Sequence, residues 1–241
     1  MKTVFITGTD TDAGKTYVSR LLLTGFAAKN IAAIGLKPIA AGVDGDGKNA
    51  DAKMLQALSA VALSYDMVNP LLLQAPVAPH LAAASEGINL DFSVLDQQLA
   101  DTATLPASIR FIEGAGGWLL PIDATQYLAD WVIQQQLPVI LVVGMKLGCL
   151  NHAMLTAREL QRSRVTVLGW VANVIDPTML LPDDNIADLT QRLPWPRLAV
   201  LPFQTAAPVQ LAAHLALQLA DAVLQQLQQL QQPQQPHRQG C

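Results

Sequence analysis

Residues 3–16 read TVFITGTDTDAGKT, an apolar β-branched run that breaks into a polar loop and closes on Gly14, Lys15 and Thr16. In a loop of this kind backbone N–H groups turn inward on phosphates. A lysine at the position of Lys15 neutralises β- and γ-oxygens, and a hydroxyl at the position of Thr16 suits Mg²⁺. The helix expected from there to Lys29 adds partial positive charge at its first turn. Five residues separate Gly8 from Gly14 where the common pattern has four. The assignment therefore rests on context: a strand over Val4 to Thr7, the loop, then Val18, Leu21, Leu22 and Gly25 at helical spacing. A Gly-Lys-Thr that merely caps a helix is the alternative.

Other side chains stand where they could join that chemistry. Glu113 ends the apolar run from Ile109 and precedes Gly114, Ala115, Gly116 and Gly117, as a metal-holding carboxylate at a strand end would; a turn acid before a flexible loop is the plainer reading. Lys37 precedes Pro38, whose ring keeps it extended, so it would point toward a ligand and stabilise developing negative charge unless it is an ordinary solvated lysine. Asp51 starts a helix, where it could cap or ligate Mg²⁺. Asp10 and Asp12 bring negative charge into a phosphate loop, which hints at a second substrate carrying ammonium groups. Gly148, Cys149, Leu150 and Asn151 form a further strand-to-helix turn, an anion site by the same physics. Cys149 is expected there to have a lowered pKa, yet no His-Asp set supports a thiol nucleophile. His152 reads as structural or solvated.

Short apolar runs must position these groups: Thr3 to Thr7, Ala33 to Pro38, Ile109 to Glu113, Val139 to Gly144, Val165 to Asn173 and Leu198 to Pro202. Between them lie segments of helical spacing at Lys15 to Lys29, Ala50 to Val61, Phe92 to Thr102, Tyr127 to Gln136, Leu150 to Arg162 and Asn185 to Leu193. Strand alternating with helix implies a single α/β domain, a mostly parallel sheet with helices on both faces, like a P-loop NTPase. Ligands bind such sheets outside the carboxyl ends of the strands. Those ends are polar here, from Thr7-Gly8-Thr9 to Glu113-Gly114 and Asn173. The domain is expected over residues 1–230, closing with a Gln-rich helical stretch from Val209 to Leu230. Residues 231–241, rich in Gln and Pro, read as a disordered tail.

Composition excludes several classes. The net charge is −4, with no basic stripe of the kind nucleic acid requires. No apolar run approaches the roughly 20 residues a bilayer crossing needs, and none after Met1 is long enough for a signal peptide. The two cysteines, Cys149 and Cys241, are far apart, which suits a reducing cytoplasm better than a disulfide framework.

With these pieces in order, the chain resembles the dethiobiotin synthetases over about residues 3–204. The likeness rests on GTDTDAGKT (8–16), GLKPIAAG (35–42), NADA (49–52), NPLLLQAPVAPHLAA (69–83), FIEGAGGWLLP (111–121), DWVIQQQLPVILVVGMKLGCLNHAMLTA (130–157) and GWVANVIDP (169–177). It implies an ATP- and Mg²⁺-dependent cyclo-ligase of biotin biosynthesis. One amine of 7,8-diaminononanoate takes up CO₂ (from bicarbonate) as a carbamate, the carbamate attacks the γ-phosphate of ATP, and the other amine closes a ureido ring. By that resemblance Lys15 and Lys37 are the catalytic cations, and Thr16, Asp51 and Glu113 surround Mg²⁺. Asp12, Ala13, Gly14, Lys15, Thr16 and Tyr17, with Glu113, Gly114, Ala115 and Gly116, line the phosphates. Asn173, Val174, Pro202, Phe203 and Gln204 hold adenine, and Thr11, Lys37 and Ala41 meet the diamine. The family works as a homodimer, in which Gly148 to Asn151 of the second copy receive the substrate carboxylate. The chain departs from the family at Ala41, where a serine is frequent, and at Asn185, where a tyrosine is usual. Beyond Pro202 no acid stands where the family often contacts ribose or adenine, only Ala206 to Gln210. The rival class is a P-loop switch or partitioning ATPase with a macromolecular partner. Against it, Gly8-Thr9-Asp10-Thr11 lacks the extra lysine such proteins often carry, and no basic amphipathic terminal helix is present.

Overall fold

The computed structural model describes residues 1–203 and 209–232. Its centre is a sheet of six parallel strands in the order β2-β5-β1-β6-β7-β8, formed by β1 (Lys2–Gly8), β2 (Ala33–Leu36), β5 (Ile109–Glu113), β6 (Val139–Met145), β7 (Val167–Val174) and β8 (Arg197–Leu201). A parallel sheet is stable only with both faces covered, and β5 and β6 are accordingly buried at every residue. The edge strand β8 needs less apolar content and is buried only at Leu198 and Leu201. The P-loop-like α/β class expected from strand and helix alternation is the architecture observed.

Two further strands, β3 (Ile39–Ala41) and β4 (Leu71–Leu73), form a separate parallel pair beside the carboxyl end of β2. Neither was expected from the sequence, because three residues carry no readable period. The helices are α1 (Lys15–Ala28), α2 (Ala50–Leu58), α3 (Tyr65–Val68), α4 (Pro79–Glu86), α5 (Phe92–Ala103), α6 (Leu128–Gln134), α7 (Cys149–Arg162), α8 (Pro182–Arg192) and α9 (Val209–Gln229). The one-turn α3 and the proline-initiated α4 also escaped the sequence reading. The expected tail lies almost wholly outside the described residues.

The chain leaves β1 for β2 on one side and β6 for β7 on the other, so the carboxyl ends of β1 and β6 part beneath the phosphate loop. Such a switch point is where open α/β sheets bind ligands. α1 is pinned behind the loop by α9. A Cβ on Gly25 would come within 2.1 Å of Ala216 O, and Lys29 Nζ meets Asp221 Oδ1 at 2.5 Å.

Candidate active site

The extra residue of the phosphate loop is absorbed by a single 3₁₀ turn, Thr11–Ala13, which Asp10 caps by accepting Thr11 N–H at 2.8 Å. The next residue, Gly14, is left-handed at φ +92°, a conformation glycine adopts without strain. Gly14 is also the N-cap of α1 and offers no side chain to it, so the first-turn N–H groups stay available to an anion. Ala13 is buried beneath the turn, and Asn173 Nδ2 donates to its carbonyl at 2.9 Å.

Lys15 Nζ donates to three carbonyls, Asp10 O (3.0 Å), Thr11 O (3.0 Å) and Gly116 O (2.6 Å), joining the phosphate loop to the glycine run after β5. Burial, and then the Lys37 ammonium nearby, push its pKa down to about 8, while Glu113, Asp51 and Asp10 pull it up.

Glu113 is 1% exposed at the end of β5. Its Oε1 accepts from Thr16 Oγ1 at 2.7 Å and Lys37 Nζ at 2.6 Å, and Lys37 Nζ also meets Asp51 Oδ2 at 3.1 Å. Burial works against the Lys37 ammonium, but the carboxylates of Glu113 and Asp51 outweigh it and hold its pKa above the usual lysine value. Lys37 is therefore held in its charged form. Asp51 is not the cap of α2, since Asn49 caps it by accepting Ala52 N–H at 3.2 Å; Asp51 is left free in the first turn to face Lys37.

These residues line a cavity of about 770 Å³ together with Thr11, Asp12, Ala41, Ala115 and Gly116, large enough for a nucleotide and a small second ligand. The opposite wall, Pro76 to Pro79 and Leu119 to Pro121, was not singled out from sequence as site, although both stretches lie in the motifs that carried the resemblance. Among the remaining expected residues, Tyr17 is half-buried under Arg20, and Gly114 donates its N–H to Ile6 O while packing on Phe5. Asn173 and Val174 end β7 behind Gly14, and Pro202 and exposed Phe203 follow β8. Gln204 lies outside the described residues, as do Ala206 to Pro208. Asn185 Nδ2 is engaged with Leu181 O of its own helix at 2.8 Å.

Gly148 to Asn151 form the first turn of α7, with Gly148 left-handed and no side-chain cap; they do not line the cavity of their own chain. One expectation fails here, and the basis of another changes. The Cys149 thiol is 1% exposed, and burial raises its pKa instead of the helix N-terminus lowering it. The negative charge of Asp10 is answered within the chain: Lys146 Nζ lies 2.8 Å from Asp10 Oδ2 and holds that carboxyl below its usual value. Asp10 thus says nothing about a cationic substrate, while exposed Asp12, on the cavity wall, has no such partner among the described residues.

Whether the residues suit Mg²⁺ is tested by Glu113 Oε2, which is buried without any hydrogen-bond partner. A buried carboxylate oxygen left bare is costly, and a cation beside the Thr16 hydroxyl would satisfy it. Among the described residues no three His, Cys, Asp or Glu side chains cluster as a metal cage. That suits Mg²⁺, which keeps waters and phosphate oxygens and takes only one or two carboxylates.

Fold and site together define a P-loop nucleotide-binding α/β protein. Similarity to solved structures agrees with that class: the cell-division ATPase MinD of Pyrococcus furiosus superposes with a TM-score of 0.58 at 15% identity over 93% of this chain and 98% of its own. The cobyrinic acid a,c-diamide synthase of Mycobacterium smegmatis, solved with an ATP analog and magnesium, gives a TM-score of 0.58 at 16% identity over 95% and 96%. At such identities the likeness is one of fold. A family model described as an AAA domain matches residues 2–232. The ATP-dependent dethiobiotin synthetase of Pseudoalteromonas translucida is 46% identical over 86% of this chain and 93% of its own length. Those of Vibrio vulnificus and Cellvibrio japonicus are 44% and 43% identical over 86% and 90% of this chain, and 92% and 96% of their own. The chain belongs to the ATP-dependent dethiobiotin synthetase family.

Proposed function

We propose that the chain closes the ureido ring of 7,8-diaminononanoate with CO₂, consuming ATP and yielding dethiobiotin, ADP and phosphate. The observation that carries this reading is the buried cluster at Glu113. Its Oε1 gathers Lys37 and Thr16 while its Oε2 stays bare, in a cavity with room beyond the phosphate loop. Family membership supplies the reaction: a carbamate oxygen attacks the γ-phosphorus and ADP leaves, then the second amine attacks the carbonyl and phosphate leaves.

In this reading Thr16, Asp51 and Glu113 hold Mg²⁺, which supplies charge neutralisation on the phosphates. Lys37, kept charged by two carboxylates, stabilises the oxygens of the carbamate and of the transferring phosphoryl group. Lys15 exchanges its carbonyl contacts for phosphate oxygens. Residues 12–17 and 113–116 run along the phosphates, and Asn173, Val174, Pro202, Phe203 and Gln204 surround adenine. Thr11 and Ala41 meet the diamine, with Ala41 offering no hydroxyl. Residues 1–230 act as one synthetase domain, and 231–241 lie outside it.

The reading also makes the enzyme a homodimer, with the α7 N-terminus of one copy, Gly148 to Asn151, receiving the substrate carboxylate in the other. Leu147, beside that turn, is 92% exposed. No described helix is long and apolar enough to cross a membrane, and we assign the enzyme to the cytoplasm. The partitioning-ATPase alternative rests on fold likeness alone. The test is ADP release by the purified chain, which should require diamine and bicarbonate together; equal ATP hydrolysis without the diamine would refute the synthetase reading.

A further inference from the structure

Beside the Lys37–Glu113–Asp51 cluster lies a set of polar groups joined through Tyr65 and Asn69, two residues that no role above uses. Asn69 is 2% exposed, and its Nδ2 donates to Lys37 O at 2.8 Å and to Leu71 O at 3.4 Å. Its Oδ1 accepts from the Tyr65 hydroxyl at 3.0 Å, and that hydroxyl accepts from Asn49 N–H at 2.8 Å. Asn49 caps α2, and its Nδ2 holds Gly42 O at 3.0 Å. One phenol oxygen therefore ties the backbone that carries Lys37 to the helix start that carries Asp51.

The element bearing Tyr65 is built for this task. α3 has four residues, too few to persist without support. Ser64 caps its start, accepting Met67 N–H at 3.2 Å, and Gln98 Nε2 closes its end on Met67 O (2.9 Å) and Val68 O (3.0 Å). Val68 O accepts Lys37 N–H at 2.9 Å, so both backbone polar groups of Lys37 terminate on the segment Val68 to Asn69. The Lys48 ammonium sits 5.1 Å from the Tyr65 ring centre and covers it.

We propose that Tyr65 is a positioning residue for the synthetase reaction: its hydroxyl, acting through Asn69 and Asn49, sets Lys37 and Asp51 in register against Glu113. The inference rests on the synthetase reading. Transition-state stabilisation by Lys37 requires its ammonium to be held in place before the charge develops, and small misplacements of such a group are costly in rate. Tyr65, Asn69 and Asn49 make no hydrogen bond to residues 8–16, so the direct contacts of the loop to the phosphates are kept.

Tyr65→Phe keeps the ring and removes only the hydroxyl. We expect kcat to fall about 10-fold, a larger change than that in KM for ATP. A merely stabilising hydroxyl would also cost something, and a double-mutant cycle with Lys37→Gln separates the cases. If Tyr65 acts through Lys37, adding Tyr65→Phe to Lys37→Gln lowers kcat no further than about twofold. Asn69→Ser repeats the cycle from the other end of the bond, and urea midpoints check that each variant is folded. Full kcat in Tyr65→Phe, or losses that multiply across the cycle, would overturn the proposal. If the parent chain itself makes no dethiobiotin, the synthetase reading fails instead, and the two failures are told apart by that first assay.

Discussion

In the proposed reading Lys15 meets the phosphates of ATP from an unusual state, and the consequence can be weighed as protons. Burial and the Lys37 charge bring its pKa from 10.5 to about 8 in the free protein. Phosphate oxygens near the ammonium favour the charged form and raise that value again. With a pKa of about 8, roughly half of the free protein is neutral at Lys15 at pH 8, about nine-tenths at pH 9 and about one-tenth at pH 7. Binding should therefore take up about half a proton at pH 8, close to one at pH 9 and almost none at pH 7. Isothermal titration of a non-hydrolysable ATP analogue with Mg²⁺, in buffers of small and large ionisation enthalpy, reads this uptake directly. Stability carries the matching sign. Below pH 8 the folded chain must charge a group that burial disfavours, so Lys15 opposes folding there by on the order of 3 kcal/mol, and the penalty fades between pH 8 and 10.5. Binding heats that do not depend on buffer at pH 9 would show that Lys15 is already charged in the free protein and would refute this reasoning.

Glu113→Gln removes the charge that holds Lys37 and should lower kcat by at least about 100-fold. Breaking this buried pair should also cost about 3–5 kcal/mol, measured as a lower urea midpoint. In Gly14→Ala the new Cβ would lie 2.0 Å from Asn173 Nδ2 at a backbone φ of +92°. Stability should fall by about 1–3 kcal/mol, and KM for ATP should rise as Asn173 is pushed off Ala13; an unchanged KM would contradict the geometry. Cys149, buried with its thiol pKa raised, should resist alkylation at pH 8 in a Cys241→Ser background and react only after unfolding, as mass spectrometry would record.

The sheet was legible because each long strand is a short apolar run ending in a polar group. β5 begins and ends where the sequence places it, at Ile109 and Glu113. The same logic picked out Lys37 and Glu113, which the fold places at strand ends on the cavity wall. β3, β4 and α3 were not legible: at three or four residues they lack a period and take their shape from neighbours. α4, which starts at Pro79, was not read as a helix, although proline suits the first turn of one. Partnerships across the chain were equally hidden. Asp10 and Lys146 are 136 residues apart, so the acid in the loop read as an invitation to a cationic ligand. Tyr65 lies outside the motifs and Asn69 only opens one of them, and it is the fold that joins the pair to Lys37. For Cys149 the helix terminus suggested the sign of the pKa shift, but burial, invisible in the sequence, reversed it.

The central claim is that the cavity joins CO₂ to a diamine at the expense of ATP. Supplying ¹³C-bicarbonate, 7,8-diaminononanoate, ATP and Mg²⁺ to the purified chain, and weighing the product, tests it most directly. Dethiobiotin carrying the labelled carbon in its ureido ring, formed with one ADP per ring closed, is the predicted result. ADP release with no labelled cyclic urea would contradict it.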